Sequence, residues 1–245
     1  MLAENFPLIV AVIVVIAGSA LQSISGFGLA VVASPILVLI NPNFLPAPLL
    51  ALGFTLSLLN CIRYRHDLNF SHIKLALLAR IPGSILGIYL LSLLPTIFFS
   101  ISFSLLILLS VLLNYRRIAI DHCQRNLVFA GFFSGLMATT TSVGGPPMAL
   151  VYQHNRLNTV RADLGLYFLI GTLISLAVLF TSDNISEAQV WLTLPLIPAL
   201  FVGFALSFFL DNYLGHYLAQ GFLKPCIALL SIASCILILF KGHFV

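Results

Sequence analysis

Charge is scarce in this chain. Only 7% of its 245 residues are charged, against about 25% in a soluble domain. That deficit excludes an ordinary soluble fold, and apolar residues make up 60% instead. The formal charge of +4 is no nucleic-acid signal, because the basic side chains sit in short loops between apolar runs. Cysteine is sparse and scattered: Cys61, Cys123, Cys226 and Cys235 form no CxxC pair. They read as small packing residues, and neither a disulfide framework nor a metal site is indicated. Catalytic motifs are missing too. Ser142 and His154 can be drawn as nucleophile and base, but there is no Gly-x-Ser-x-Gly elbow to expose the serine. There is no His-Glu-x-x-His pair for zinc. No nucleotide-binding motif occurs, so ATP would have to come from a partner, and no cofactor is called for. A basic n-region is lacking as well. Glu4 is the only charged side chain before the first apolar run, Pro7–Ile24, which is therefore expected to be mature structure and not a signal peptide.

What is present is a series of apolar runs of about 20 residues, the length that crosses a bilayer. The chain is expected to be an all-α polytopic membrane protein with the lipid bilayer as its solvent. Spans are expected over about 7–24, 46–62, 73–94, 97–114, 162–180, 190–210 and 217–240. Two stretches interrupt this pattern. Gln22-Ser23-Ile24-Ser25-Gly26-Phe27-Gly28 closes the first run, and a shorter apolar piece, Leu29–Ile40, follows. Near the middle, Thr139-Thr140-Thr141-Ser142-Val143-Gly144-Gly145-Pro146-Pro147 separates Leu127–Thr140 from Met148–Tyr152. Glycine weakens a helix, and proline removes a backbone donor and clashes with the preceding turn. The backbone should open at both places. Unpaired peptide groups cannot face lipid, so they must face protein or a watery cavity. The alternative for the second stretch is a plain surface loop between helices.

The two halves, 1–120 and 121–245, resemble repeats. Asp67 and Asp183 lie 116 residues apart, and Ile81-Pro82 with Gly87 recurs at the same offset as Ile197-Pro198 with Gly203. Ser25 and Gly28 correspond within a residue or two to Ser142 and Gly145. Loop charge then orients the halves. The loop with Arg63, Arg65 and Lys74 is basic, whereas its counterpart has no Lys or Arg and carries Asp183 and Glu187. By the positive-inside rule the first is cytoplasmic and the second external. The central loop with Arg116, Arg117, Asp121 and Arg125 and the loop Arg156–Arg161 belong inside; Lys241 is a lone basic residue on the wrong side. This works only if each broken segment enters and leaves on one face. The expected plan is two inverted-topology repeats, each a broken-helix hairpin plus three transmembrane helices, as in many secondary transporters.

Opposed breaks point to one shared cavity. Helices restarting there would aim unpaired N–H groups and positive dipole ends at it, which favours an anion. Proline at the first helical position suits such a restart. Ser23, Ser25, Thr140, Thr141 and Ser142 would add hydroxyl donors, or would bond back to their own backbone or a neighbouring helix, as hydroxyls in membrane helices often do. Arg80 lies inside an apolar run, about 9 Å past Lys74 at 1.5 Å per residue. An intramembrane charge marks a function by default, yet this one can snorkel to the cytoplasmic surface, and its repeat partner Leu196 is apolar. Arg161 opens a span and can meet an anion at the cytoplasmic entrance or anchor to headgroups. Gln22, Gln153 and His154 are polar near the breaks. Lys224-Pro225 reads as the interfacial start of the last span. Asp163 can pair with a nearby arginine or carry a proton.

The run Gly144-Gly145-Pro146-Pro147-Met148-Ala149-Leu150-Val151-Tyr152, with Arg161-Ala162 downstream, resembles the sulfite exporter TauE/SafE family of bacterial membrane transporters. Gly26-Phe27-Gly28, followed by Ser34-Pro35, is similar to that family's first-half motif. The likeness covers nearly the whole chain. It implies carriage of a small sulfur-containing anion such as sulfite, sulfoacetate or a related organosulfonate across the bacterial inner membrane. The positions carried over are Gly26, Phe27, Gly28, Gly144, Gly145, Pro146, Pro147 and Arg161; Arg80 and the hydroxyls rest on the physical argument. Alternating access, with a proton or sodium as possible coupling ion, is what the class implies. The alternative is a non-transporting accessory protein that binds another membrane complex.

Overall fold

The computed structural model describes residues 2–93, 122–152 and 155–217, with side chains for 6–93, 122–152 and 155–211. The expected span over 97–114, the residues Arg116, Arg117, Asp121, Gln153 and His154, and everything beyond Tyr217 lie outside them. So do Lys224, Pro225, Lys241, Cys226, Cys235 and the boundary between the halves at 120.

The described residues are all helical, joined by short turns. α1 (Leu2–Ser25) and α2 (Leu29–Ile40) flank the first break, and a 3-10 turn (Pro42–Phe44) bends the chain into α3 (Ala47–Arg63). α4 (Phe70–Leu93) follows. After the undescribed segment, α5 (Gln124–Thr141) and the short α6 (Gly145–Tyr152) flank the second break. Then come α7 (Leu157–Thr181), α8 (Glu187–Thr193) and, through a 3-10 turn, α9 (Ile197–Tyr217). Among the described residues, five stretches are long and apolar enough to span a bilayer: Phe6–Ser25, Pro42–Arg63, Phe70–Leu93, Leu157–Thr181 and Glu187–Asp211.

Large apolar side chains face outward as well as into the core, and several polar ones are buried. Leu78, Ile85, Tyr89, Phe129, Phe180 and Phe209 are exposed, while Ser19, Ser57, Ser84, Ser134, Arg80 and Asp163 are buried. Lipid is as apolar as leucine, so outward-facing leucines cost nothing there, and close contact between small residues holds the helices together instead. The α4–α5 seam is made this way. A Cβ on Gly131 would overlap the Ala76 backbone, one on Gly135 the Arg80 carbonyl, one on Gly83 the Phe132 carbonyl and one on Gly87 the Leu136 carbonyl.

Contacts fix the helix directions. α4, α5 and α7 run parallel: Ala76 meets Gly131, Arg80 meets Gly135, and residue pairs 72·163, 80·171 and 84·175 join α4 to α7. α3 crosses α7 antiparallel, with Gly53 against Thr172 and Cys61 against Gly165. α1 runs with α9, since Ile16 meets Gly203 and Arg161 ties the Ile24 carbonyl to Asp211. One set, α1, α3 and α9, therefore points opposite to the other set, α4, α5 and α7.

The restart of the second broken segment differs from the expected position. The sequence pattern placed it after Pro147. The helix begins at Gly145, so both prolines occupy its first turn, where a missing N–H breaks no intrahelical bond.

Candidate functional site

The first break is built on glycine. Gly26 and Gly28 take φ of 88° and 147°, and a Cβ on Gly28 would press on the Leu21 side chain. A left-handed φ is costly for any residue with a Cβ. Ser25 Oγ lies 2.8 Å from the Leu21 carbonyl and 2.6 Å from that of Phe27, so its proton is shared across the break. Gln22 Oε1 accepts the Leu29 N–H at 3.1 Å, satisfying one first-turn donor of α2.

The second break turns at Ser142, whose φ of 63° is left-handed. Its hydroxyl donates to the Pro46 carbonyl at 2.9 Å, pinning the break to the start of α3. Thr140 Oγ1 donates to the Leu136 carbonyl and Thr141 Oγ1 to that of Met137. These hydroxyls follow the back-bonding alternative. The break is a buried turn: Thr139 to Gly145 are all buried, which removes the reading as a surface loop. Pro146 and Pro147 also delete two of the four unpaired N–H groups that the start of α6 would have offered.

The two breaks meet. A Cβ on Gly145 would stand 3.4 Å from Phe27, and between them lies a cavity of about 40 Å³. On the same measure a single water needs about 10–15 Å³, so the space suits a few waters or a small anion. Phe27, Gly28 and the first turn of α2 line one side, and Ser142, Gly144 and Gly145 the other. Gln22, Ser57, Thr172 and Arg80 complete its polar surface.

Arg80 is the charge in this cavity. It is fully buried, which removes the snorkelling alternative. Nε donates to the Gly171 carbonyl at 3.0 Å, Nη1 to Ser134 Oγ at 3.1 Å and Nη2 to Ser175 Oγ at 3.2 Å. Its guanidinium carbon lies 5.1 Å from the centre of the Tyr167 ring. Ser134 in turn donates to the Gly144 carbonyl, linking Arg80 to the second break. Among the described residues no carboxylate is within ion-pair distance of Arg80. A guanidinium has five N–H donors, and three are taken here.

Arg161 has a different setting from either expectation. It is 5% exposed, too buried to anchor to headgroups, and its charge is taken up by Asp211 through both terminal nitrogens. Its Nε donates to the Ile24 carbonyl at the end of α1, where a cation also suits the helix dipole. Arg63 shares Asp211 at 3.2 Å, and Tyr64 donates to the Ser23 carbonyl at 3.2 Å. The cluster fastens the ends of α1, α3 and α9 to the start of α7.

Of the residues expected at the site, Phe27, Gly28, Arg80, Ser142, Gly144 and Gly145 line the cavity. Ser23, Ser25, Gly26, Thr140, Thr141, Pro146, Pro147 and Arg161 are not on its lining. Gly26 instead lies under the Val160 carbonyl, and the Ser23 hydroxyl is buried without a hydrogen-bond partner. Sequence reasoning missed Ser57 and Thr172, hydroxyls inside apolar runs with nothing local to single them out, and Asp211, which the expected span stopped just short of. Asp163 pairs with His72 and not with an arginine.

Spanning helices and two buried breaks with a small, mostly apolar cavity between them make up a transporter-like membrane architecture. The chain belongs to the sulfite exporter TauE/SafE family, whose profile it matches over residues 10–240. No curated protein and no solved structure matches it. Membership makes it a transporter and not an enzyme, a multi-pass protein of the bacterial inner membrane.

Proposed function

We propose that the chain carries a small sulfur-containing anion (sulfite, sulfoacetate or a related organosulfonate) by alternating access, binding it in the cavity between the two breaks. The observation that carries this reading is Arg80: a buried guanidinium on the cavity lining, with no carboxylate partner among the described residues. A buried charge left unpaired is strongly destabilising, and an anion in the cavity would supply the missing partner. Arg80 has two N–H donors beyond those already bonded. Ser57 Oγ, buried on the lining without a partner among the described residues, adds a third, and the first turn of α2 adds its dipole. Phe27, Gly28, Ser142, Gly144 and Gly145 shape the pocket around the anion. Ser25, Thr140 and Thr141 hold the breaks open, and Arg161 holds α1 against α7.

Alternating access needs two halves able to rock about the site. The halves 1–120 and 121–245 fit that role as inverted repeats. Their counterpart helices, α1 and α5, α3 and α7, α4 and α9, run in opposite directions, which supports the inverted plan. An accessory protein that only docks on another complex is the competing reading. It gives no reason for a chain to bury an unpaired arginine beside two backbone breaks.

Thermal stability of the detergent-purified protein across sulfite, thiosulfate, sulfoacetate, taurine, sulfate and acetate tests the reading. A ligand at 100 times its Kd adds about 2.7 kcal/mol to the folded state, so one or more of the sulfur anions should raise the melting temperature. Identical melting in all six would count against the anion cavity and in favour of the accessory role.

A further inference from the structure

The α4–α7 seam holds a second unusual group. Asp163, on the second turn of α7, is fully buried. His72 Nδ1 lies 2.8 Å from its Oδ2, and its buried Oδ1 has no hydrogen-bond partner among the described residues. The protonation of this pair can be worked out from its neighbours. Asn69 Oδ1 accepts the Ser71 N–H at 3.0 Å, which turns the Asn69 amide nitrogen toward His72 Nε2, also at 3.0 Å. That nitrogen donates, so Nε2 accepts, and the proton of a neutral imidazole sits on Nδ1, facing the carboxylate. The buried carboxylate thus has a neutral partner.

Among the described residues, no charged group other than His72 is within ion-pair distance of it. His122 stacks edge-on against Tyr152 at 4.9 Å and stands 6.4 Å from His72. The Tyr152 hydroxyl is occupied by the His72 carbonyl at 3.3 Å. Arg161, two residues away on the same helix, is engaged by Asp211. Tyr167 lies one turn deeper, against Arg80.

We propose that the His72–Asp163 pair is a proton-binding site, coupled to the anion through Arg80; the coupling rests on the anion-cavity reading above. Two features support it. First, there is a route. The His72 side chain is 41% exposed while that of Asp163 is 0% exposed. Once the exposed Asn69 amide swings away from Nε2, Nε2 can take a proton from hydronium in the solvent, releasing water, as Nδ1 passes its own to Asp163 Oδ2. The products are a neutral imidazole protonated on Nε2 and a neutral carboxylic acid, and no other reactant is needed. Second, there is a mechanical and electrical link. Residue pairs 72·163, 80·171 and 84·175 all join α4 to α7 at the same offset of 91. The hydrogen bonds that orient Arg80, to Gly171 and Ser175, therefore lie on the same seam as the His72–Asp163 contact, about 12 Å further in at 1.5 Å per residue.

Among the described residues, the seam carries one cation without a carboxylate partner and one buried carboxylate without a cationic partner at ion-pair distance. An anion bound at Arg80 cancels the positive field that opposes protonation of Asp163. Its arrival raises the proton affinity of Asp163, and by reciprocity a proton on Asp163 tightens anion binding. With both sites filled, both buried charges are neutralised, which is the state best suited to rearranging within the membrane.

Two measurements test this. In infrared difference spectra of the purified protein between about pH 8 and pH 5, the range in which histidine sites titrate, the wild type should gain the C=O band of a protonated, apolar-shielded carboxyl. Asp163→Asn should lose that band. In proteoliposomes with the same sulfur anion on both sides, Asp163→Asn should keep anion exchange but lose accumulation driven by an imposed pH gradient. No such band in the wild type, or undiminished gradient-driven accumulation in Asp163→Asn, overturns the proposal. Failure of the anion reading looks different: neither protein exchanges any anion, while the infrared band still decides the proton site. If Asp163→Asn does not fold, His72→Gln stands in. Its amide can still donate to Asp163, and the carboxyl band should persist with its midpoint moved. An unmoved midpoint counts against the pair.

Discussion

Arg80→Gln is expected to cut anion uptake into proteoliposomes by about 30-fold or more. Losing one partner of a buried, hydrogen-bonded charge pair costs about 2–5 kcal/mol, and 1.4 kcal/mol is tenfold in affinity. The fold should survive the change. The glutamine amide can still reach part of the cage formed by Gly171, Ser134 and Ser175, and removing an unpaired buried charge relieves a destabilising feature. The melting temperature of the ligand-free protein should therefore hold or rise while uptake collapses. Arg80→Lys should fall between the two, because it keeps the charge and loses the planar fork that holds three partners at once. Uptake by Arg80→Gln at the wild-type rate would remove Arg80 from the mechanism.

The second large effect is on stability. Gly135→Leu should abolish the folded protein, read as loss of the monodisperse peak on gel filtration. The position faces the Arg80 backbone so closely that even a Cβ overlaps the carbonyl. Overpacking usually costs about 1–3 kcal/mol because side chains can shift. Here the obstacle is main chain, and the seam must part. Parting α4 from α5 also breaks the bond between Arg80 and Ser134. Phe133→Leu, two residues away on a half-exposed position, is the control and should elute and melt as the wild type does. Equal behaviour of the two variants would contradict the close-packed seam.

Much of this architecture can be read from the sequence because the bilayer imposes it. The lengths of the apolar runs predict α3 and α4 to within a few residues and α7 to within about one turn; the expected span 190–210 matches an apolar stretch, Glu187–Asp211, that the structure divides between α8 and α9. Gly26-Phe27-Gly28 and Gly144-Gly145-Pro146-Pro147 mark the breaks because glycine and proline act on the local backbone. The likeness to the TauE/SafE family was legible in the same residues. The roles of the arginines were not. Depth along a helix cannot say which way a side chain faces, so a cavity role and snorkelling both stayed open for Arg80; its burial, its three hydrogen bonds and the glycines packed around it, Gly135 and Gly171, show that it is enclosed. For Arg161 the sequence left an entrance role and a headgroup anchor open; its partner Asp211 lies 50 residues on, and no local pattern connects them. The hydroxyls are ambiguous by nature. Thr140 and Thr141 satisfy themselves within one helical turn, while Ser57, in an equally apolar run, is left unpaired beside the cavity. The His72–Asp163 pair joins two spans, and the sequence offered only the alternatives of an arginine partner or a proton for the aspartate.

The most direct test of the central claim is equilibrium binding of a sulfur-radiolabelled anion, thiosulfate or sulfite, to purified wild type and Arg80→Gln, both shown to be folded by gel filtration. The account predicts saturable binding to the wild type that is lost in Arg80→Gln. Equal affinity in the two proteins would place the anion elsewhere and contradict a site built on Arg80 between the two breaks.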